Sequence, residues 1–286
     1  MKAKRAVPFV SLAVCALLAA AFSSGAQAQA GPAQTLLDGK LVGNLGGFIV
    51  GTDTKANLNG STANNPDVDF DRTFGDSDNT RIRADLLWRV TPSHHLRFLY
   101  FDDSTRRKRV IDSDLAWGDN VFTAGGEVRS KNSFKIYELA YEYAFIRQPS
   151  FELNGTFGVH WMDMSIKLSG DAIITDEDGN TTSVSGSGKK GSVSAPLPVL
   201  GLRAGWVVAP NVYLDAQAQY YKAKVNGYDG RVTDLRAGAT YMFTPNLGLG
   251  IGYNRFTTRI ESDKEKFDGR LRFAYSGFQA YITGAF

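Results

Sequence analysis

Cysteine is all but missing from this chain. Of 286 residues only Cys15 is a cysteine, and it lies in an apolar run near the N-terminus, so the fold relies on neither disulfides nor thiolate-bound metal. Its surroundings, LAVCA, put Val14 where a lipoprotein site needs a smaller residue, which argues against a lipid anchor. Proline is scarce, at 9 residues, and beyond residue 30 no apolar stretch approaches the ~20 residues of a transmembrane helix. A chain of this kind can cross a membrane only with strands, because in lipid every backbone polar group must be paired internally. A surplus of one charge sign is lacking as well. The formal net charge of +3 is supplied entirely by Lys2, Lys4 and Arg5, and the neutral remainder excludes the electrostatic footprint of a nucleic-acid binder. No motif calls for a cofactor: SGSGKKGS lacks the spacing of a phosphate loop, follows no buried strand and reads as flexible linker.

What is present begins with MKAKR, the apolar run AVPFVSLAVCALLAAAF and the small-residue segment SSGAQAQA. That order describes a secretory signal peptide over residues 1–28, with Ala30 as the alternative cleavage position. Residues 29–37 then form a short N-terminal segment and 38–286 a single domain of about 250 residues, a length that suits one all-β unit.

Strict alternation recurs through that domain. In TRIRADLLWRV, Ile82, Ala84, Leu86, Trp88 and Val90 share one face, and Arg81, Arg83, Asp85, Leu87 and Arg89 the other. Later segments repeat the pattern. Leu96, Phe98 and Tyr100 oppose Arg97; Tyr137 to Phe145 oppose Glu138 and Glu142; Phe151 to Trp161 oppose Glu152, Asn154 and His160. Further on, Leu202 to Val208 oppose Arg203, Val212 to Tyr220 oppose Asp215, and Leu235 to Phe243 oppose Asp234 and Arg236. With KLVGNLGGFIVG, Leu247 to Tyr253 and the terminal segment, the pattern predicts ten strands.

The connections fall into two classes that take turns. Short ones lie at Thr91–Ser93, Arg147–Ser150, Ala209–Asn211 and Thr244–Asn246; long polar ones span about 51–79, 104–130 and 169–191, followed by the shorter 226–230 and 261–268. Trp88, Phe145, Phe151, Trp206 and Phe243 stand beside the short turns and Trp161 towards the long loops, as two aromatic girdles would. The prediction is all-β: an up-and-down antiparallel transmembrane barrel of about ten strands with short periplasmic turns and longer extracellular loops. On these residues the chain resembles the bacterial outer-membrane β-barrel proteins, over nearly all of residues 38–286. The resemblance implies that SGFQAYITGAF closes the barrel and carries, in Phe278, Ala280, Ile282 and Phe286, the signal read by the barrel assembly machinery. It also implies residence in the outer membrane among lipid and lipopolysaccharide, as a monomer.

Function is then a question of the lumen. Arg81, Arg83, Asp85, Arg89, Arg97, Glu138, Glu142, Glu152, His160, Arg203, Asp215, Asp234 and Arg236 all fall on the inward face. They either line a narrow passive pore for small solutes or ions or pair to fill the barrel. In the second case the protein is a surface recognition barrel displaying its loops, or a structural envelope protein. Catalysis is not expected. An omptin-like site resembles paired Asp with a His–Asp pair at the outer rim, for which Asp102, Asp103, His160 and Asp163 are the nearest residues, and a lipid-modifying site needs His160 and Ser165 on one face. Asp67, Asp69 and Asp71 have calcium-loop offsets, but Arg72 replaces the sharp-turn glycine; Val68 and Phe70 alternate with them, so continuation of a strand is the plainer reading, and no metal site is assigned.

Overall fold

The computed structural model describes residues 31–58, 67–74, 79–117, 120–175, 181–225, 228–264 and 267–286; the expected signal peptide lies outside them. Ten long strands close into one antiparallel barrel: β1 (Leu41–Leu58), β3 (Asn79–Arg89), β4 (His94–Val110), β7 (Glu127–Gln148), β8 (Phe151–Thr175), β9 (Thr181–Ala209), β10 (Val212–Val225), β11 (Tyr228–Thr244), β12 (Leu247–Lys264) and β13 (Phe267–Ala285). Each pairs with the next in sequence, and β13 returns to β1 from Val42↔Ala285 to Leu58↔Gly269. Three short strands, β2 (Val68–Asp69), β5 (Leu115–Trp117) and β6 (Asn120–Phe122), decorate the outer end. No helix among the described residues is long and apolar enough to cross a membrane.

Closure explains the apolar chain end. Leu41 and Phe286 exchange both backbone hydrogen bonds at 2.8 Å, so the last residue is held inside a sheet. Phe278, Ile282 and Phe286 face outwards, Phe286 at 71% exposure, while Tyr281 turns inwards. It can do so because its register neighbour on β12 is Gly250: with no side chain in the way, the ring lies across that strand and its hydroxyl reaches Thr240 Oγ1 on β11, 3.0 Å away.

The strands are longer than the alternation predicts. β8 and β9 run to 25 and 29 residues, whereas a tilted strand spans a bilayer in about 10. Much of what reads as long loop is paired ladder. SGSGKKGS is not a linker: it lies inside β9, where Lys190 faces Lys167 and Ser192 faces Ser165 of β8. Its glycines serve the ladder. The register shifts between Gly170 and Ala172, and Gly186 there takes φ +69° while its N–H donates to Asp171 Oδ1, the geometry of a bulge. The acidic segment joins β1 as a strand only over Val68–Asp69, then turns into the short helix Phe70–Phe74.

The two faces of the strands exchange character part-way up. On β8 the outward residues are Phe157, Val159 and Trp161, then Asp163 and Lys167; the inward ones are Thr156 and His160, then Met162, Met164, Ile166 and Leu168. The same exchange falls between Tyr137 and Ile136 on β7 and between Phe278 and Tyr275 on β13. Below it the wall faces lipid and the lumen is polar; above it the wall faces water and the lumen is an apolar core, as in a soluble barrel.

Candidate functional site

The lumen is filled in three layers. At the short-turn end, residues 31–38 form a 3-10 turn, Pro32–Gln34, and a helical turn, Thr35–Asp38, that sit across the opening. Ala33, Leu36 and Leu37 are buried against Val42, Leu87, Val207, Met242 and Ala285. Backbone carbonyls at the short turns hold the segment. Ala33 N donates to Pro210 O at 2.9 Å, Gln34 Nε2 to Pro149 O at 2.8 Å and Thr35 Oγ1 to Pro245 O, while Arg147 bridges Asp38 to Pro92 O. Arg89 fastens it from inside, donating to Leu36 O at 2.7 Å and Gly39 O at 2.9 Å while pairing with Glu152 at 3.2 Å.

The middle layer is the inward charge cluster that the alternation predicts. Arg203 lies 3.5 Å from Glu142 and 3.6 Å from Glu152, and Arg97 pairs with Glu142 at 3.2 Å and donates to Gln217. Glu138 meets His160 Nε2 at 2.9 Å and accepts from Gln219 at 2.8 Å. Across the barrel Arg83 forks onto Asp85 at 3.1 and 3.2 Å, and Arg236 joins Asp85 at 3.2 Å to Asp215 at 3.5 Å. Asn254 links Arg83, Asp234 and Tyr275. Apart from the histidines His95 and His160, every basic side chain described here is arginine, whose planar fork can serve two carboxylates at once. Arg81 stands apart from this layer, pairing with Asp103 at 2.6 Å nearer the outer end.

Above lies the third layer, which the alternation does not predict. Phe101, Tyr275 and Phe256 stack in sequence at 4.8 and 5.2 Å, and Phe134 stacks on Phe273 at 3.8 Å. At the outer rim Phe70 packs edge-on against Trp117, with Ile111, Leu115 and Phe122 in the same apolar cluster. The signal for this layer is the adjacent pair Trp161-Met162, where apolar residues pass from odd to even positions.

Of the girdle residues, Trp88, Phe145, Trp161 and Phe243 are exposed on the wall and Trp206 is half-buried; Phe151 is 7% exposed, flanked in register by Gln148 and Trp206. The residues considered for catalysis are not brought together. Asp103 points inwards to Arg81 whereas Asp102 points outwards to the Tyr100 hydroxyl; His160 faces the lumen whereas Asp163 and Ser165 lie on the other face of β8. Asp69 is bound by Lys55 at 2.9 Å and Asp67 by Arg270 at 3.5 Å; the Asp71 side chain lies outside the described residues, among which no cluster suited to a metal occurs. Burial pushes the Asp69 carboxyl up, but hydrogen bonds from Lys55 and from the Arg72 N–H, with the Lys55 charge, hold it below the usual carboxylate range.

No family model and no curated protein matches this chain in sequence. Solved structures do match in shape. The outer-membrane protease OmpT of Escherichia coli aligns over 86% of this chain and 96% of its own with a TM-score of 0.54 at 14% identity. The toluene transporter TodX of P. putida (0.34, 12% identity, 93% and 95% covered) and the attachment invasion locus protein Ail of Yersinia pestis (0.31, 8%, 85% and 98%) align more loosely. The likeness to the protease, at 14% identity, shows the fold without fixing the activity. The chain has the fold of the bacterial outer-membrane β-barrels, closed with ten strands and assigned to no narrower family.

Proposed function

We propose that the protein is a sealed outer-membrane barrel whose working surface is its outer β-extension, presented for recognition at the cell surface. One observation carries this reading: side chains occlude the lumen from the N-terminal segment through the charge layer to the aromatic layer. Arg83, Arg97, Glu138 and Glu142 are each 3% exposed or less, a packed polar core rather than a wetted path. In this reading residues 1–28 or 1–30 are removed on export, 29–37 become the periplasmic plug, 38–286 form the barrel, and the assembly machinery reads the last strand of a monomer.

Single-channel recording of refolded residues 31–286 in a planar bilayer tests the proposal. A folded but silent barrel is expected. Discrete current steps whose ion selectivity changes in Arg97→Gln would overturn it in favour of a narrow pore for small solutes. Recognition itself is tested by deleting residues 171–185, the tip of the β8–β9 hairpin: binding to host cells or matrix should be lost while the barrel stays folded.

A further inference from the structure

Strand β9 outruns one of its two neighbours. Its ladder with β10 ends at Leu200↔Tyr220, whereas its ladder with β8 continues to Thr181↔Thr175. Residues 181–199 are therefore paired with a strand on one side only. Parity tells which backbone groups are left over. In an antiparallel ladder one residue directs both its N–H and its C=O to the same neighbour, and the next residue directs its pair to the other. Val207 N donates to Ser150 O on the β8 side at 2.8 Å, so odd positions serve β8 and even positions face the open side. Pro196 and Pro198 are even, and at that parity a missing donor leaves the β8 ladder intact. They also account for where β10 stops pairing: continued in register, Lys222 and Lys224 would meet these two prolines and find no N–H.

Above the prolines the edge regains its donors. Ser194, Ser192, Lys190 and Gly188 each turn an N–H and a C=O to the open side, over about 20 Å of strand. By the same register β10 has already ended there, since its last residue, Val225, is level with Ala195. Beyond the bulge at Gly186 the edge runs on to Thr181. The opposite flank of this sheet shows an edge that the chain covers itself. β4 outruns β3, which pairs with it only as far as Ile82↔Asp102, and the helix Phe70–Phe74 packs on it, the Phe70 carbonyl accepting from Arg107 at 3.2 Å. Among the described residues no segment does this for β9. An unpaired strand edge is a template for another strand. Glycine in a strand leaves room for a second backbone, and Gly188 and Gly191 stand within this stretch.

The side chains beside the edge set the kind of strand it takes. On the outward face Lys131 on β7, Lys167 on β8 and Lys190 on β9 stand in register, all exposed and none ion-paired among the described residues. Like charges directly opposite one another on a sheet repel, and a carboxylate placed next in the row, beside Lys190, relieves them. On the inward face Val193 is buried at the margin of the apolar layer. We propose that β9 takes up an extended acidic segment of another polypeptide as an added strand along Gly188–Ser194, its carboxylates turned outwards beside Lys190 and its apolar side chains inwards beside Val193. This rests on the outer extension being the recognition surface, and adds how that surface binds: main-chain pairing supplies the contact and lysine the preference. Removing residues 171–185 shortens the same edge from above.

The test uses refolded residues 31–286 in phosphatidylcholine nanodiscs, titrated with a short peptide of alternating glutamate and valine, carbon-13 labelled at its carbonyls, or with its lysine-for-glutamate counterpart. The parent should bind the acidic peptide about tenfold more tightly, and the labelled carbonyls should take the infrared amide I frequency of a sheet. Ser192→Pro puts a third proline at the parity of Pro196 and Pro198, removing an edge donor while sparing the β8 ladder. It should weaken binding about tenfold where Ser192→Ala does not, both keeping the heat-modifiable band of the folded barrel. The acidic peptide methylated at its backbone nitrogens, which cannot pair, should not bind the parent, and this arm needs no variant to fold. Equal affinity of the parent and Ser192→Pro, binding of the methylated peptide, or bound peptide without the sheet frequency would overturn the proposal. So would a dimer of the parent that Ser192→Pro abolishes, which would assign the edge to a second copy of the chain. A barrel that conducts fails the recognition reading itself; one that is silent and binds host cells or matrix but not the acidic peptide fails the strand addition alone.

Discussion

Glu142 is the residue at which a filled lumen and a wetted one part company. Its side chain is fully buried, with Arg97 at 3.2 Å and Arg203 at 3.5 Å. At 3.2 Å a pair of unit charges is worth about 5 kcal/mol at an effective dielectric of 20 but only about 1 kcal/mol in water. Glu142→Gln leaves two arginines facing one carboxylate fewer, and breaking a buried pair from one side costs about 3–5 kcal/mol. Across a water-filled lumen the same change would cost about 0.2–1 kcal/mol. The assay is urea unfolding in lipid vesicles, followed by the gel shift of the folded barrel. Arg97→Gln completes a double-mutant cycle with Glu142→Gln, and a coupling above about 1.5 kcal/mol is expected between them. Additive effects, each below about 1 kcal/mol, would refute the packed-core argument.

Three further outcomes follow from the structure. Arg89→Gln removes both donors to the Leu36 and Gly39 carbonyls, so it should make residues 31–40 accessible to protease from the short-turn side and produce flickering currents where the parent is silent. Gly250→Ala places a methyl within the Tyr281 ring; the ring must leave, its contact with Thr240 is lost, and stability should fall by about 1–3 kcal/mol in the same gel-shift assay. A hydrogen bond from Lys108 and the nearby Arg129 hold the Glu127 carboxyl below its ordinary value of 4.5, so the pairing at this outer edge is complete above pH 4.5 and is lost as pH falls through the depressed value. Carbon-13 NMR titration should place the midpoint below 4.5, and Lys108→Met should raise it.

The strand count, the two classes of connection and the closing partnership of first and last strands were legible because side-chain parity in a lipid-spanning strand is enforced at every residue. The inward charge cluster was legible for the same reason. Parity cannot say whether an inward charge meets water or another charge; that depends on how far Arg97 and Glu142 reach across the barrel. The outer extension was read as loop because lysine, serine and glycine dominate it, and composition hid the ladder in which Lys167 faces Lys190. The cue was the phase of alternation rather than its presence, marked on β8 by Trp161-Met162 and on β7 by Ile136-Tyr137.

That exchange of faces also fixes the height at which the molecule floats. Sinking by two residues along each strand, about 5 Å of depth, would bring Asp102, Lys135, Asp163, Lys222 and Arg255 down to the depth now held by the aromatic edge, each against a penalty that grows towards the midplane. Rising by as much would lift Tyr137, Trp161, Tyr253 and Phe278 out of the lipid. The barrel is self-indexing: a bilayer that thickens or thins must deform around it, because the protein has one waterline written into ten strands.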